Sequence, residues 1–339
     1  MSRCLSILLF CLLTYLLGCR KDIAITSQKT PIGNTYNNII IDSTDTSSVN
    51  HPINYLATKV ILIVIDGPRY SETFGEPSHA YIPKQNLLMH DGTLCTQMYN
   101  NGVTNTVNGH TALCTGNYES LDNFGLNIPT YPSYMQYWLE KTGKASNKVW
   151  VIASKDKLQV LANTTESSYN NRFMPFTDCG NSGMGSGYRE DSTTFRIAMS
   201  VLQLNQPDLL LINFKEPDWS GHQANWTNYL EGIRATDEYA WQIWNYIQSD
   251  PYYKDQTEVF ITNDHGRHHD GNADGFVSHG DACYGCRHIA FLALGPDIKT
   301  NYVCRTAYDQ IDITSSIASI LQIKMGYNKG KCMKDIFNN

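Results

Sequence analysis

The run Lys59-Val60-Ile61-Leu62-Ile63-Val64-Ile65 is apolar without interruption after its first residue, rich in β-branched side chains, and halted by Asp66-Gly67-Pro68. It is long enough for a strand and too short for a free-standing helix. It also lacks the alternation of a strand with one wet face, so it predicts a buried strand in a parallel sheet. Similar runs recur at Val149-Trp150-Val151-Ile152-Ala153, Leu209-Leu210-Leu211-Ile212-Asn213-Phe214, Val259-Phe260-Ile261-Thr262 and Ile289-Ala290-Phe291-Leu292-Ala293-Leu294. Helical patterns lie between them. Residues 134–141 follow Pro132-Ser133, and residues 194–204 have helical spacing. Leu230, Ile233, Ala240, Trp244 and Ile247 mark one face of a long helix, and residues 311–323 read as a last one. This alternation defines an α/β fold, a central, mostly parallel sheet with helices on both faces.

The amino terminus is a different object. Arg3 precedes an apolar run over residues 5–17 that closes with Leu16-Leu17-Gly18-Cys19. The run is short for a membrane span, and small Gly18 before Cys19 suits cleavage. It resembles a bacterial lipoprotein signal, which implies a lipidated Cys19 and a place in the cell envelope, periplasmic or surface-facing, with the membrane reached through that lipid. An ordinary secretory signal is the other reading, and both export the chain. The expected organisation is a signal peptide at 1–18, a flexible tether at 19–57 rich in Ser, Thr, Asn and Asp, and a folded domain at 58–339. That domain carries an irregular insertion at 163–191, where Gly180-Asn181-Ser182-Gly183-Met184-Gly185-Ser186-Gly187 breaks the alternation.

The net charge of -6 gives no electrostatic case for nucleic acid as a partner. The sequence leaves the oligomeric state open. Outside the leader stand Cys95, Cys114, Cys179, Cys283, Cys286, Cys304 and Cys332, an odd number that cannot all pair. Cys283 and Cys286 could form a disulfide in an oxidising compartment, and a zinc ribbon is disfavoured because it needs a second Cys-x-x-Cys.

Acidic and histidine residues sit at the strand ends, where open parallel sheets place ligands. They are Asp66, the stretch Asp218-Trp219-Ser220-Gly221-His222, the pair Asp264-His265, and His279 in Ser278-His279-Gly280-Asp281. Each alone reads as a turn, cap or loop residue. Their joint occurrence beside apolar strands points to a metal centre, because carboxylate and imidazole together suit zinc and also manganese or iron. Asn105-Thr106-Val107-Asn108-Gly109-His110 opens an apolar helical segment. A threonine there can cap the helix or lie beside a bound anion.

Taken in order, Asp66, Thr106, Asp218 with His222, Asp264-His265 and His279 resemble the two-metal site of the alkaline phosphatase superfamily, in particular its nucleotide pyrophosphatase/phosphodiesterase branch. The similarity runs from Val60 to Ile323 and includes Glu216-Pro217-Asp218, Asn263-Asp264-His265-Gly266 and Leu294-Gly295-Pro296. The resemblance implies an alkaline-phosphatase-like fold and two divalent ions, zinc first with manganese or iron as alternatives. It places one ion on Asp218, His222 and His279, the other on Asp66, Asp264 and His265, and Thr106 between them as nucleophile and shared ligand. The reaction implied is hydrolysis of a small phosphoester, a diester or pyrophosphate ahead of a monoester, through a phosphothreonine. Counting back from Thr115-Gly116 selects Thr106 over Thr104. Counting forward selects Asn127, with Asn123 as competitor, as a donor to the phosphoryl oxygen.

The pattern also departs from the family. The interval from His265 to His279 is short, and His268, His269 and His288 stand nearby as alternatives to His279, although they read first as supporting or surface histidines. Lys155-Asp156-Lys157-Leu158 resembles a lysine-bearing segment of phosphonoacetate hydrolases, which implies contact with an anionic substrate, although a charge run after a strand reads first as a solvated loop. Phosphomonoesterase and phosphonate hydrolase are the alternatives within the superfamily. A sulfatase is disfavoured because the nucleophile region has no Cys/Ser-x-Pro-x-Arg sequence. The non-enzymatic alternative is an envelope lipoprotein that binds a ligand through a degenerate metal site.

Overall fold

Strand β1 (Lys59–Asp66) runs through the middle of the sheet with all eight residues buried. Its successive side chains enter opposite cores: Val60, Leu62 and Val64 join one apolar cluster, and Ile61, Ile63 and Ile65 the other. An unbroken apolar run is what a strand covered on both faces requires. Each fully buried Leu or Ile contributes roughly 2 kcal/mol. The computed structural model describes residues 54–338; the leader, Cys19 and most of the 19–57 tether lie outside the described residues. Among the described residues no helix is long and apolar enough to cross a membrane.

The further strands are β2 (Gly92–Tyr99), β3 (Val149–Ala153), β4 (Phe176–Cys179), β5 (Leu209–Pro217), β6 (Thr257–Asn263), β7 (His288–Leu294), β8 (Tyr302–Cys304) and β9 (Tyr308–Asp309). They lie in the order β4-β3-β5-β1-β6-β7-β2-β8, with β9 beside β2. From β4 to β6 every neighbour is parallel, whereas β7 runs antiparallel to both β6 and β2. Helices α1 (Pro83–Leu88), α4 (Asp191–Leu204) and α6 (Trp226–Ser249) place apolar residues in one core, and α2 (Thr106–Thr115), α3 (Tyr134–Thr142) and α8 (Gln310–Ile320) in the other. Two short helices, α5 (Asp218–His222) and α7 (Tyr284–Arg287), belong to the edge where β1, β5 and β6 end.

Two expectations change. Strand β2 mixes polar residues into Gly92-Thr93-Leu94-Cys95-Thr96-Gln97 and so carries no continuous apolar run, yet it is sandwiched between β7 and β8. The insertion at 163–191 is not wholly irregular, because β4 adds a parallel edge strand to β3 within it. Arg189 fastens that insertion: its Nη1 donates to Gly180 O at 2.9 Å, its Nη2 to Asp178 O at 2.8 Å and its Nε to Thr194 Oγ1 at 2.8 Å. A single buried guanidinium thus does what an apolar run does elsewhere, and periodicity does not register it.

Candidate active site

Three parallel neighbours end together. Asp66 closes β1, Asp218 follows β5 directly and Asp264 follows β6 directly. Adjacent strands are about 4.8 Å apart, so the topology alone brings the three carboxylates within reach of one another at the carboxyl edge. Helix α2 delivers Thr106 to the same place. Asn105 caps it, accepting from Asn108 N at 3.1 Å, and Gly116 ends it with a left-handed φ of 69°. Every residue of α2 is buried, and the helix begins at Thr106 itself, two positions earlier than its apolar segment suggests. Gly109 permits this depth: a Cβ there would stand 2.6 Å from Asp264 O.

The six predicted ligands converge in two sets. His222 Nε2, His279 Nε2 and Asp218 Oδ1 are separated by 3.0, 3.4 and 3.3 Å. Ligands about 2.0 Å from a tetrahedral ion stand about 3.3 Å apart, so these atoms lie at the edges of such a site. In the other set His265 Nε2 is 3.6 Å from Asp66 Oδ1 and 3.3 Å from Asp264 Oδ2. Asp264 Oδ2 and His265 Nε2 are buried and have no hydrogen-bond partner, which is the state of ligand atoms that fit a cation. His265 also neighbours the first set, its ring stacked on His279 with centroids 3.8 Å apart. The outer ring nitrogens fix the tautomers: His279 Nδ1 donates to Thr104 O at 2.7 Å and His265 Nδ1 to Gly266 O at 2.9 Å, leaving each Nε2 free to ligate.

Electrostatics favour the same role. Burial pushes the His265 imidazole down to about 3 and the His222 imidazole down to about 4, so both are neutral near pH 7. Burial, reinforced by the charge of Asp264, raises Asp66 to about 7. Burial alone would lower the Lys155 ammonium, but Asp218 and Asp66 outweigh it and hold it above its ordinary range.

Lys155 corrects the solvated-loop reading. It is buried, with Nζ 2.7 Å from Asp218 Oδ2, 2.9 Å from Asp66 Oδ1 and 3.0 Å from Thr106 Oγ1. Lys157 is buried too and donates to Asn123 O at 3.0 Å and Asn123 Oδ1 at 3.2 Å. Asn127 is also corrected: it is exposed, its Nδ2 donates to Asp122 Oδ2 at 2.7 Å, and it does not reach the cluster. Asn123 stands beside the start of α2 instead, accepting from Val107 N at 3.0 Å. Thr104 points away and donates to Asp281 O at 2.7 Å. His268, His269 and His288 join neither ligand set; His288 donates to Thr96 O at 3.0 Å.

Three further contributors lie outside the residues that the sequence pattern singled out. Arg267 is fully buried, bonds Asp218 Oδ1 through Nη1 and donates from Nη2 to Val277 O at 2.5 Å. Gly221 makes room for it, since a Cβ there would meet its guanidinium carbon at 2.7 Å. His110 donates from Nδ1 to Thr106 O at 2.8 Å, and Asn213 Nδ2 lies 3.1 Å from both His110 Nε2 and Asp66 Oδ2. His110, one turn after Thr106, has the helical spacing that could have revealed it; Arg267 and Asn213 are paired only through tertiary contacts.

Strand order, helix placement and a carboxyl edge that gathers these side chains define an alkaline-phosphatase-like α/β fold. The chain belongs to the type I phosphodiesterase / nucleotide pyrophosphatase family, whose model matches residues 60–269, more than half of its length. No curated protein matches the sequence. Among solved structures, a Vibrio parahaemolyticus protein of the alkaline phosphatase superfamily superposes with a TM-score of 0.62 at 16% identity, over 84% of this chain and 71% of that one. Murine ectonucleotide pyrophosphatase/phosphodiesterase 5 gives 0.58 at 15% identity, over 83% of this chain and 100% of that one. A phosphonate monoester hydrolase from Silicibacter pomeroyi gives 0.58 at 12% identity, over 82% and 76%. At such identities the likeness speaks for the fold.

Proposed function

We propose that the protein hydrolyses small phosphoesters, diesters or pyrophosphates ahead of monoesters, with Thr106 as nucleophile. The observation that carries this reading is the seat of Thr106 Oγ1, 3.5 Å from Asp66 and 3.0 Å from Lys155, beside the neutral imidazoles of His222 and His265 and a group of buried carboxylates. Asp218, His222 and His279 would hold one divalent ion and Asp66, Asp264 and His265 the other, zinc first and manganese or iron as alternatives. When bound, such ions supply Lewis-acid stabilisation of an attacking alkoxide and of phosphoryl oxygens. The chain itself supplies position and charge. The Thr106 hydroxyl donates towards Asp66 Oδ1 and accepts from Lys155 Nζ, so its oxygen is held with an ammonium in place to stabilise negative charge. Attack forms the threonine oxygen–phosphorus bond and breaks the bond to the leaving oxygen; water then displaces the threonine oxygen.

The murine relative, whose inactive threonine-to-alanine variant is in complex with AMP, supports a small nucleotide phosphoester as the substrate class without ranking diester above monoester. A second reading has its own observation. Lys155 sets one buried ammonium against Thr106 and Lys157 a second on the neighbouring Asn123, which favours a substrate with additional negative charge, a phosphomonoester or a phosphonate. A panel of aryl phosphodiester, phosphomonoester, phosphonate and sulfate ester on metal-loaded protein separates these. Turnover of the diester first is expected, and turnover of the sulfate ester alone would sink the proposal. The leader further supports export and lipid anchoring at Cys19, tested by fatty-acid labelling that Cys19→Ala should abolish.

A further inference from the structure

We propose that His268, Asp281, Cys283 and Cys286 form a third cation site, structural in character and separate from the pair at Thr106. One ligand atom from each lies within 4.8 Å of every other. Cys283 and Cys286 are unbridged. The individual contacts present these atoms as ligands. Cys286 N donates to Cys283 Sγ at 3.4 Å, which fixes the direction of that sulfur. Cys283 N donates to Asp281 Oδ1 at 3.0 Å, which leaves Oδ2 to face His268 Nε2 at 3.1 Å. His268 Nδ1 lies 3.1 Å from Ser278 Oγ and 3.4 Å from Asp274 Oδ1, so its proton sits on that side and the Nε2 lone pair turns inward. His268 is only 7% exposed, and its Nε2 is buried without a hydrogen-bond partner.

Two thiolates, an imidazole and a carboxylate complete a tetrahedral set with no open position, the pattern of a structural rather than a catalytic ion. Thiolate ligands select zinc or a comparably soft dication over magnesium, calcium or manganese. Binding displaces the two thiol protons into solvent. The position gives the site a purpose. His268 follows closely on His265, and Asp281 on His279, so one ion would tie together both arms of the long connection between β6 and β7 that presents those two histidines. Backbone bonds join the same arms, from Gly266 N to Cys286 O at 2.8 Å and from His268 N to Ser278 O at 3.2 Å. The cysteines and Asp281 lie beyond residue 269, where the family match ends.

Cobalt(II) loading of the reduced full chain tests this, because a thiolate-to-cobalt charge-transfer band in the near ultraviolet can arise only from sulfur ligands and not from the nitrogen and oxygen ligands around Thr106. The expected result is that band with three equivalents of cobalt in the unmodified protein, and loss of the band with one equivalent fewer in the Cys283→Ser/Cys286→Ser variant. His268→Ala should weaken retention of this ion against a chelator by at least about tenfold. The band with a single equivalent would support the third site while removing the two-ion reading at Thr106. Absence of the band in the unmodified reduced protein, its persistence in the double variant, or a Cys283–Cys286 disulfide in the protein as isolated would each overturn the proposal.

Discussion

Lys155 Nζ stands 3.0 Å from Thr106 Oγ1, and the same ammonium reaches Asp66 at 2.9 Å and Asp218 at 2.7 Å. One cation therefore touches the proposed attacking atom and one carboxylate from each ligand set. The lysine lies just past the end of β3, and β3 pairs with β5. A long side chain at that strand end spans the gap to α2.

Removing the proposed nucleophile is the most direct test. Thr106→Ala should lower kcat on an aryl phosphodiester by at least about 10^3-fold, because no other hydroxyl can occupy its position. Thr104→Ala should stay within a few-fold, since Thr104 Oγ1 bonds only Asp281 O among the described residues. Equal losses in the two variants would remove the assignment of Thr106.

Lys155→Met keeps the length of the side chain and removes its charge. Breaking a buried ion pair from one side typically costs about 3–5 kcal/mol, and here Asp66 and Asp218 both lose a partner. Urea unfolding of metal-free protein should show a loss of that order, smaller after metal loading because the ions neutralise the same carboxylates. The kcat of the loaded variant should fall about 10^2-fold. An unchanged kcat would confine Lys155 to a structural role.

Lys157 provides a pH dependence. Burial, with repulsion from Lys155, lowers its ammonium to about 8. The charged form therefore predominates below pH 8 and is lost above it, so binding of inorganic phosphate to the loaded protein should weaken as pH rises through about 8. The stability sign is the reverse: between pH 8 and the ordinary lysine value near 10.4 the unfolded chain binds more protons, so stability rises with pH there. Lys157→Arg, whose guanidinium stays charged, should abolish the loss of phosphate binding in a calorimetric titration series. A wild-type profile flat from pH 7 to 10 would exclude Lys157 from the anion site.

Gly109→Ala examines the packing that sets α2 against β6. The added methyl carbon would lie 2.6 Å from Asp264 O, a backbone atom that cannot move without carrying its side chain along. A loss of about 1–3 kcal/mol in stability is expected. Weaker metal retention in a chelator competition should accompany it, because Asp264 is displaced. Unchanged retention with reduced stability would show that the strain is absorbed elsewhere.

Removal of bound ions with a strong chelator should abolish turnover and lower the midpoint of thermal unfolding, since Asp66, Asp218 and Asp264 then face one another, offset in part by Lys155 and Arg267. Zinc, manganese and iron(II) added back separately should rank the metals by recovered kcat. Full activity in the chelated protein would exclude a role for the ions.

Much of the fold was legible from the residues because burial on both faces leaves a plain mark. The apolar runs of β1, β3, β5, β6 and β7 lie where expected, and so do the helices between them, with ends shifted by a few residues. The acidic and histidine residues that gather at one sheet edge were likewise legible, because each follows or precedes such a run. Chain order alone could not choose between Asn123 and Asn127, which lie on one turn-rich segment and differ only in which way the backbone directs them.

What the sequence determined by itself was the set of strands, the alternation with helices and the residue types able to hold cations, all properties of local pattern. The tertiary structure decided the pairings. It buried Lys155 between two carboxylates, set Arg267 against Asp218 across Gly221, set Asn213 between Asp66 and His110, and assembled His268 with Asp281, Cys283 and Cys286. These are contacts between groups far apart in the chain or folded back by a loop. Their energies depend on desolvation and on distances of a few ångströms, quantities that exist only once the sheet has brought its strand ends together.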